Sequence, residues 1–158
     1  MDLILTSGNN YYGEGVTQPE VEAFYANMKD PNDSTPISYG LNSKLVKENG
    51  KLVEKTYKVG GLYTQAIERI VGWLEKAVTV AENDKQKEVI KSLISFYKTG
   101  DLNTYDEYSI KWVEDLDSQV DFVNGFTETY GDPLGMKASW ESIVNFKNVE
   151  ATKRTQTI

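Results

Sequence analysis

The sequence contains no cysteine and no histidine. Without cysteine there can be no disulfide, thiol nucleophile or thiolate zinc site; without histidine the usual metal ligand and neutral-pH general base are missing. Any chemistry in this chain falls to carboxylates, hydroxyls, lysine, arginine and backbone groups. Cationic side chains are also in the minority: 17 Lys and Arg against 24 Asp and Glu give a net charge of −7. That balance lacks the clustered cations that grip a phosphate backbone, so nucleic acid is not an expected partner. Long apolar runs are absent as well. The stretch from Met1 to Leu5 is broken by Asp2, and neither a transmembrane helix nor a signal peptide is expected, hence no membrane partner. A cysteine-free chain suits a reducing compartment, and the expected location is the cytoplasm.

What is present is a chain of 158 residues, 39% of them apolar. That is enough for the core of one domain, so residues 1–158 read as a single domain or a fragment of a larger protein. Gly8-Asn9-Asn10 and Gly13-Glu14-Gly15 make a turn-rich opening. Thr17-Gln18-Pro19-Glu20 has capping-box spacing, predicting a helix with Val21, Phe24, Tyr25 and Met28 on one face and a stop near Asp30-Pro31. Asn49-Gly50 predicts a type I′ hairpin between strands over about 38–48 and 51–59, with Val46 opposite Val53. After Gly60-Gly61, the stripe Ile67, Ile70, Val71, Leu74, Val78 and Ala81 predicts a helix. A second follows, capped by Asn83-Asp84, faced by Val89, Ile90, Leu93, Ile94 and Tyr97, and stopped by Gly100. A third, from Asn103 or Thr104, presents Tyr105, Tyr108, Trp112, Val113 and Leu116. From Val120 β-branched and aromatic residues among glycines predict an extended segment, a tight turn and a strand over 138–146. Residues 148–158 read as the start of another helix. The class is therefore α+β: a small β-sheet or partial β-barrel with an Asn-Gly hairpin, packed beside several amphipathic helices.

Several patterns suggest chemistry and lose it on inspection. Gly13-Glu14-Gly15 lacks the Lys-Ser/Thr of a phosphate loop and the third glycine of a dinucleotide fingerprint, and is read as a turn. Asp30, Asn32 and Ser34 start like a calcium loop, but Thr35 replaces its glycine and Leu41 its bidentate Glu. Asn32-Asp33-Ser34 is a formal glycosylation sequon without use in the cytoplasm. Tyr97, Tyr105, Tyr108 and Trp112 form either a stacking platform or, at helical spacing in an acidic chain, core and inter-helix packing, which is preferred. One segment resists dismissal: residues 125–135 set Glu128 and Asp132 beside Tyr130 and three glycines. Paired carboxylates bind an ammonium, hold a metal or act as acid and base. Spacing alone favours the plainer reading, in which Glu128 ends a strand and Asp132-Pro133-Leu134-Gly135 is a turn whose Asp bonds its own backbone.

The run Val120-Asp121-Phe122-Val123-Asn124-Gly125-Phe126-Thr127-Glu128-Thr129-Tyr130-Gly131-Asp132-Pro133-Leu134-Gly135 resembles a segment of the zinc dipeptidyl-peptidase III family, with its Gly-Phe, Glu-x-Tyr and Asp-Pro-x-Gly. Tyr39-Gly40-Leu41-Asn42-Ser43-Lys44-Leu45 is similar to the bacterial branch's strand entering the hairpin, and helices over 62–116 follow in the family's order. The resemblance implies a two-lobed peptidase that removes dipeptides from peptide N-termini, using zinc held by a His-Glu-x-x-Gly-His helix and a second Glu. Those elements lie C-terminal to the matched region. The chain thus corresponds to a fragment with no catalytic and no metal-binding residue of its own: zinc belongs to the full-length protein, and the remainder of the polypeptide is a partner.

The family's lower lobe, a β-barrel with attached helices, shapes the substrate cleft and helps fix the peptide's amino group. Where relatives carry Glu, this chain has Asp121, shorter by one methylene but still suited to an ammonium. A tyrosine contact of relatives falls on Val123 and is not carried over; Asn124 or a neighbour is the candidate replacement. Asp121, Asn124 and Glu128 are the candidate substrate-binding residues, with Tyr130 and Asp132 supporting the cleft. Some relatives are joined to a Nudix hydrolase domain, but no Nudix box occurs here. The expected function is a non-catalytic substrate-cleft segment of such a peptidase. The alternative is an autonomous peptide- or protein-binding module, its patch formed by Asp121, Glu128 and exposed aromatics.

Overall fold

A computed structural model describes residues 1–7 and 10–157; Gly8, Asn9 and Ile158 lie outside the described residues, and with them most of the first expected turn. The order of elements is α1 (Gln18–Ala26), β1 (Ser43–Glu48), β2 (Lys51–Thr56), α2 (Thr64–Val78), α3 (Asp84–Thr99), α4 (Leu102–Glu114), β3 (Val120–Glu128), β4 (Ser139–Phe146) and α5 (Val149–Thr155). This is the α+β class.

Helix α1 starts where the capping spacing places it: the Glu20 carboxylate accepts from the Thr17 backbone N–H at 2.9 Å and from its hydroxyl at 2.7 Å. It ends earlier than expected, at Ala26. Past Ala26 the backbone tightens into turns, Met28 N–H to the Tyr25 carbonyl at 3.2 Å and Lys29 N–H to the Ala26 carbonyl at 3.3 Å, and the loop beyond is held by Asp30 and Asp33 accepting from the N–H groups of Asn32 and Thr35. Val21 and Tyr25 are buried, whereas Met28, beyond the helix end, is exposed.

Strands β1 and β2 pair antiparallel with Val46 opposite Val53, across a turn in which Asn49 and Gly50 take φ of 51° and 77°. Positive φ at both central residues is what a type I′ turn requires. The pair is shorter than expected at its open end. Gly40, at φ 87°, turns the chain before Ser43, and a turn closed by Gly61 N–H to the Lys58 carbonyl ends the run after Thr56.

The helix stripes face the core as their period predicts for most positions, but Val113 at the end of α4 and Leu116 beyond it are exposed, and Ala81 lies past the end of α2. Helix α3 is capped by the Asn83 side chain accepting from Gln86 N–H at 2.9 Å, and stops at Gly100 with φ 71°. Helix α4 begins slightly earlier than expected, because Asp101 provides its cap by accepting from Asn103 N–H. Ile67 and Val71 of α2, Leu93, Phe96 and Tyr97 of α3, Tyr108 of α4 and Phe126 of β3 form the main core. Tyr97 and Tyr108 are thus core residues rather than a stacking platform. A second cluster joins Ile4, Tyr12, Val16, Val21, Tyr25 and Leu45.

The strands form two separate antiparallel pairs, β1–β2 and β3–β4, with no barrel closed among the described residues. On its other edge β1 is covered by the N-terminal arm, through Gly13 N–H to the Leu45 carbonyl at 2.8 Å and Leu45 N–H to the Tyr11 carbonyl at 3.1 Å. The two hairpins meet where Ala138 N–H bonds the Leu41 carbonyl at 2.9 Å. That contact sets the β3–β4 hairpin against the helices.

Candidate functional site

The glycine-rich motif spans β3, the turn after it and the approach to β4. Successive side chains of a strand point to opposite faces, and this separates the candidate residues. The Asp121 carboxylate turns toward α4, where its Oδ1 accepts from the Trp112 indole N–H and from Phe122 N–H, each at 2.8 Å. Among the described residues no donor meets its Oδ2, so one oxygen of an exposed, oriented carboxylate stays open to a ligand.

Asn124 faces the other way. Its Oδ1 accepts a short hydrogen bond from the buried Tyr97 hydroxyl, and its Nδ2 donates to Ser142 Oγ at 3.0 Å. The Trp140 indole N–H donates to the same Tyr97 oxygen at 2.8 Å. Burial raises the Tyr97 phenol above its ordinary range, so it stays a neutral donor. Asn124, Trp140 and Ser142, backed by Tyr97, form one wall of a cleft of about 520 Å³ between α2, α3 and the hairpin, lined mainly by apolar residues such as Trp73, Leu74, Val120 and Phe122. Asn124 is therefore engaged on both sides of its amide, and Asp121 lies outside this cleft.

Glu128 ends β3 just past an irregularity in the ladder between Phe126 and Glu128, and is exposed. Tyr130 is 86% exposed. Asp132 is buried: Oδ2 accepts from the Tyr12 hydroxyl, Met136 N–H and Lys137 N–H, each at 2.9 Å, and Oδ1 from Leu134 N–H at 3.2 Å. Asp132 is thus the turn residue of the plainer reading, bonded to its own backbone and pinning the N-terminal arm. Glu128 and Asp132 do not form an acid–base pair, since one points to solvent and the other is enclosed. Burial, then the adjacent Asp132 charge, pushes the Tyr12 phenol up. Among the described residues no group of three or more potential ligands that could hold a metal ion is present. With neither histidine nor cysteine in the chain, its residues do not fit a zinc site.

A residue that sequence reasoning passed over holds this region together. Lys137 is completely buried, and its Nζ donates to the Tyr25 hydroxyl at 2.6 Å, Ser43 Oγ at 3.0 Å, and the Ser43 and Gly40 carbonyls at 3.1 and 3.2 Å. The Tyr25 and Ser43 hydroxyls donate onward to Glu54 Oε1, at 2.7 and 2.6 Å. Cation and carboxylate are thereby linked through two hydroxyls rather than directly. No local pattern marks Lys137, because a lysine after a Gly turn ordinarily reads as solvent-facing.

The model of peptidase family M49 matches residues 9–158. Among curated proteins, dipeptidyl peptidase 3 of Dictyostelium discoideum is 28% identical over 164 residues, covering 90% of this chain and 23% of that protein. Dipeptidyl peptidase 3 of Homo sapiens is 30% identical over 136 residues, 86% of this chain and 18% of that protein. The chain thus spans less than a quarter of the length of these two relatives. Among solved structures, DPP III from Caldithrix abyssi superposes with a TM-score of 0.72 at 25% identity, covering 96% of this chain and 28% of that one. Dipeptidyl-peptidase III from Corallococcus sp. strain EGB shares the fold, with a TM-score of 0.71 at 21% identity, over 94% and 26%.

Proposed function

The chain belongs to peptidase family M49, the dipeptidyl-peptidase III family, and on that footing we propose that it is a non-catalytic substrate-cleft segment of a zinc-dependent, two-lobed peptidase that releases dipeptides from peptide N-termini. The observation that carries this reading is the half-occupied Asp121 carboxylate. Trp112 fixes one oxygen, and the other is free to accept from a peptide ammonium, a charge-assisted bond suited to anchoring a free N-terminus. Asn124, held by Tyr97, shapes the opposite face of the strand, and exposed Glu128 adds negative charge at its end. Asp132 holds the turn that supports the cleft, and Tyr130 presents an exposed ring beside it.

In this reading residues 1–158 form one unit of a longer cytoplasmic polypeptide, whose remainder supplies the zinc ligands and the second lobe. Exposed apolar side chains on β4, among them Ile143, Val144 and Phe146, support a further covering element. No helix of the described residues is long and apolar enough to cross a membrane.

The test uses the zinc-loaded longer polypeptide and a short peptide substrate. Asp121→Ala should raise KM about ten-fold or more, the effect of one charge-assisted hydrogen bond, and change kcat little. An unchanged KM removes Asp121 from substrate binding. Dipeptide release by the purified 158-residue chain would overturn the non-catalytic assignment.

A further inference from the structure

A second cleft, of about 850 Å³, opens on the other side of Trp140, between the N-terminal arm, the start of α2 and the turn end of the β3–β4 hairpin. That size accommodates several residues of a peptide. Its walls are aromatic. Tyr57 stacks on Phe126 with ring centroids 5.3 Å apart, and Tyr63 leans on Tyr57 at 5.7 Å. Tyr63 is 73% exposed and takes a φ of 55°, a left-handed backbone that a non-glycine residue adopts at a cost. The fold therefore holds an uncovered ring at the mouth of this cleft.

Charge distinguishes the site further. Although the chain has a net charge of −7, no Asp or Glu lines this cleft among the described residues. Arg69 stands at its edge, exposed, and no carboxylate pairs with it among the described residues. A guanidinium free of carboxylates beside stacked rings is complementary to an apolar group carrying one carboxylate.

We propose that this cleft binds the C-terminal end of a short peptide whose last residue is apolar, with Arg69 taking the terminal carboxylate and Tyr57, Tyr63, Phe126 and Trp140 taking the side chain. Asn10 and Ser139 also line the cleft, the Ser139 hydroxyl sharing a hydrogen bond with the Tyr11 hydroxyl at 2.7 Å. The proposal goes beyond the β3 reading and does not involve Asp121.

The experiment is a calorimetric titration of the chain with acetyl-Ala-Ala-Phe as the free acid and as its C-terminal amide. The acid should bind at least ten-fold more tightly than the amide. Arg69→Gln, an exposed substitution, should bring the two within two-fold at an unchanged melting temperature. Tyr63→Gly, which keeps the left-handed backbone and removes the ring, should weaken acid and amide alike. Asp121→Ala should leave both affinities as they are, which separates this site from the proposed amine anchor. Equal binding of acid and amide, undiminished acid binding in Arg69→Gln, or no saturable binding would each overturn the proposal. If 3-phenylpropionate binds as tightly as the peptide, the assignment to a peptide is overturned as well.

Discussion

Lys137→Met should lower the unfolding free energy by about 3 kcal/mol, read as a shift of the urea midpoint. Methionine fills the lysine stem's volume, so packing survives and the loss isolates the ammonium. The buried Ser43 carbonyl loses its side-chain donor, the Gly40 carbonyl keeps only the Ser43 hydroxyl at 3.1 Å, and Glu54 loses the cation that balances it through the Tyr25 and Ser43 hydroxyls. Each stranded acceptor costs roughly 1–3 kcal/mol, and removing one member of a buried charge network costs roughly 3–5 kcal/mol. Adding Glu54→Gln to Lys137→Met should restore part of the loss, since the uncompensated carboxylate is then gone. A loss below about 1 kcal/mol for the single variant would mean that water reaches these acceptors.

The same lysine predicts a pH signature. Burial pushes its pKa down to about 8 from the ordinary 10.5, against the opposing pull of Glu54 and Asp132. Between those values the unfolded chain binds the proton and the folded chain does not, so stability rises as pH increases above 8. Buried Tyr12 and Tyr25 act in the opposite sense above pH 10, because their phenols are raised and the unfolded chain ionises first. Stability should therefore climb from pH 8 towards 10 and then turn down. In Lys137→Met the climb should be absent; a climb equal to that of the wild type would assign the proton to another group.

Gly125→Ala carries the next largest effect, a loss of about 2 kcal/mol from a position in the middle of β3. Gly125 has φ 147°, which side-chain-bearing residues rarely adopt, and an added Cβ would lie 3.0 Å from the Tyr105 ring. Tyr105 cannot retreat freely, because its ring packs against Phe96 at 4.6 Å and Tyr108 at 5.7 Å. Ring or strand must give by a few tenths of an ångström to seat the methyl group. Gly135→Ala is the control: its φ is 63° but nothing lies within 4 Å of the added carbon, so only the conformational cost remains. The difference between the two variants measures the Tyr105 contact together with the larger backbone cost at φ 147°. Equal urea midpoints for both would show that β3 accommodates the methyl group.

Local rules read from the chain place its elements, though not the ends of α1 and of the β1–β2 strands. Capping residues Thr17 and Asn83, the Asn49-Gly50 turn, the stop at Gly100 and the apolar stripe of α2 act within one or two turns of backbone, so their consequences are visible in sequence order. Composition likewise determined that this chain carries no histidine or cysteine chemistry. The family was legible because Gly-Phe, Glu-x-Tyr and Asp-Pro-x-Gly occur at fixed intervals in one run.

Tertiary structure alone decided what each candidate side chain does. Glu128 and Asp132 are four positions apart, yet one is exposed and the other enclosed by Tyr12, a residue 120 positions away. Asp121 and Asn124 divide between two faces because the strand alternates, and which helix covers each face is set by packing of α3 and α4. Burial of Lys137 depends on Tyr25, Gly40 and Ser43 converging from distant segments. Burial and long-range hydrogen bonding are sums over the whole folded chain, and no local sequence window contains them.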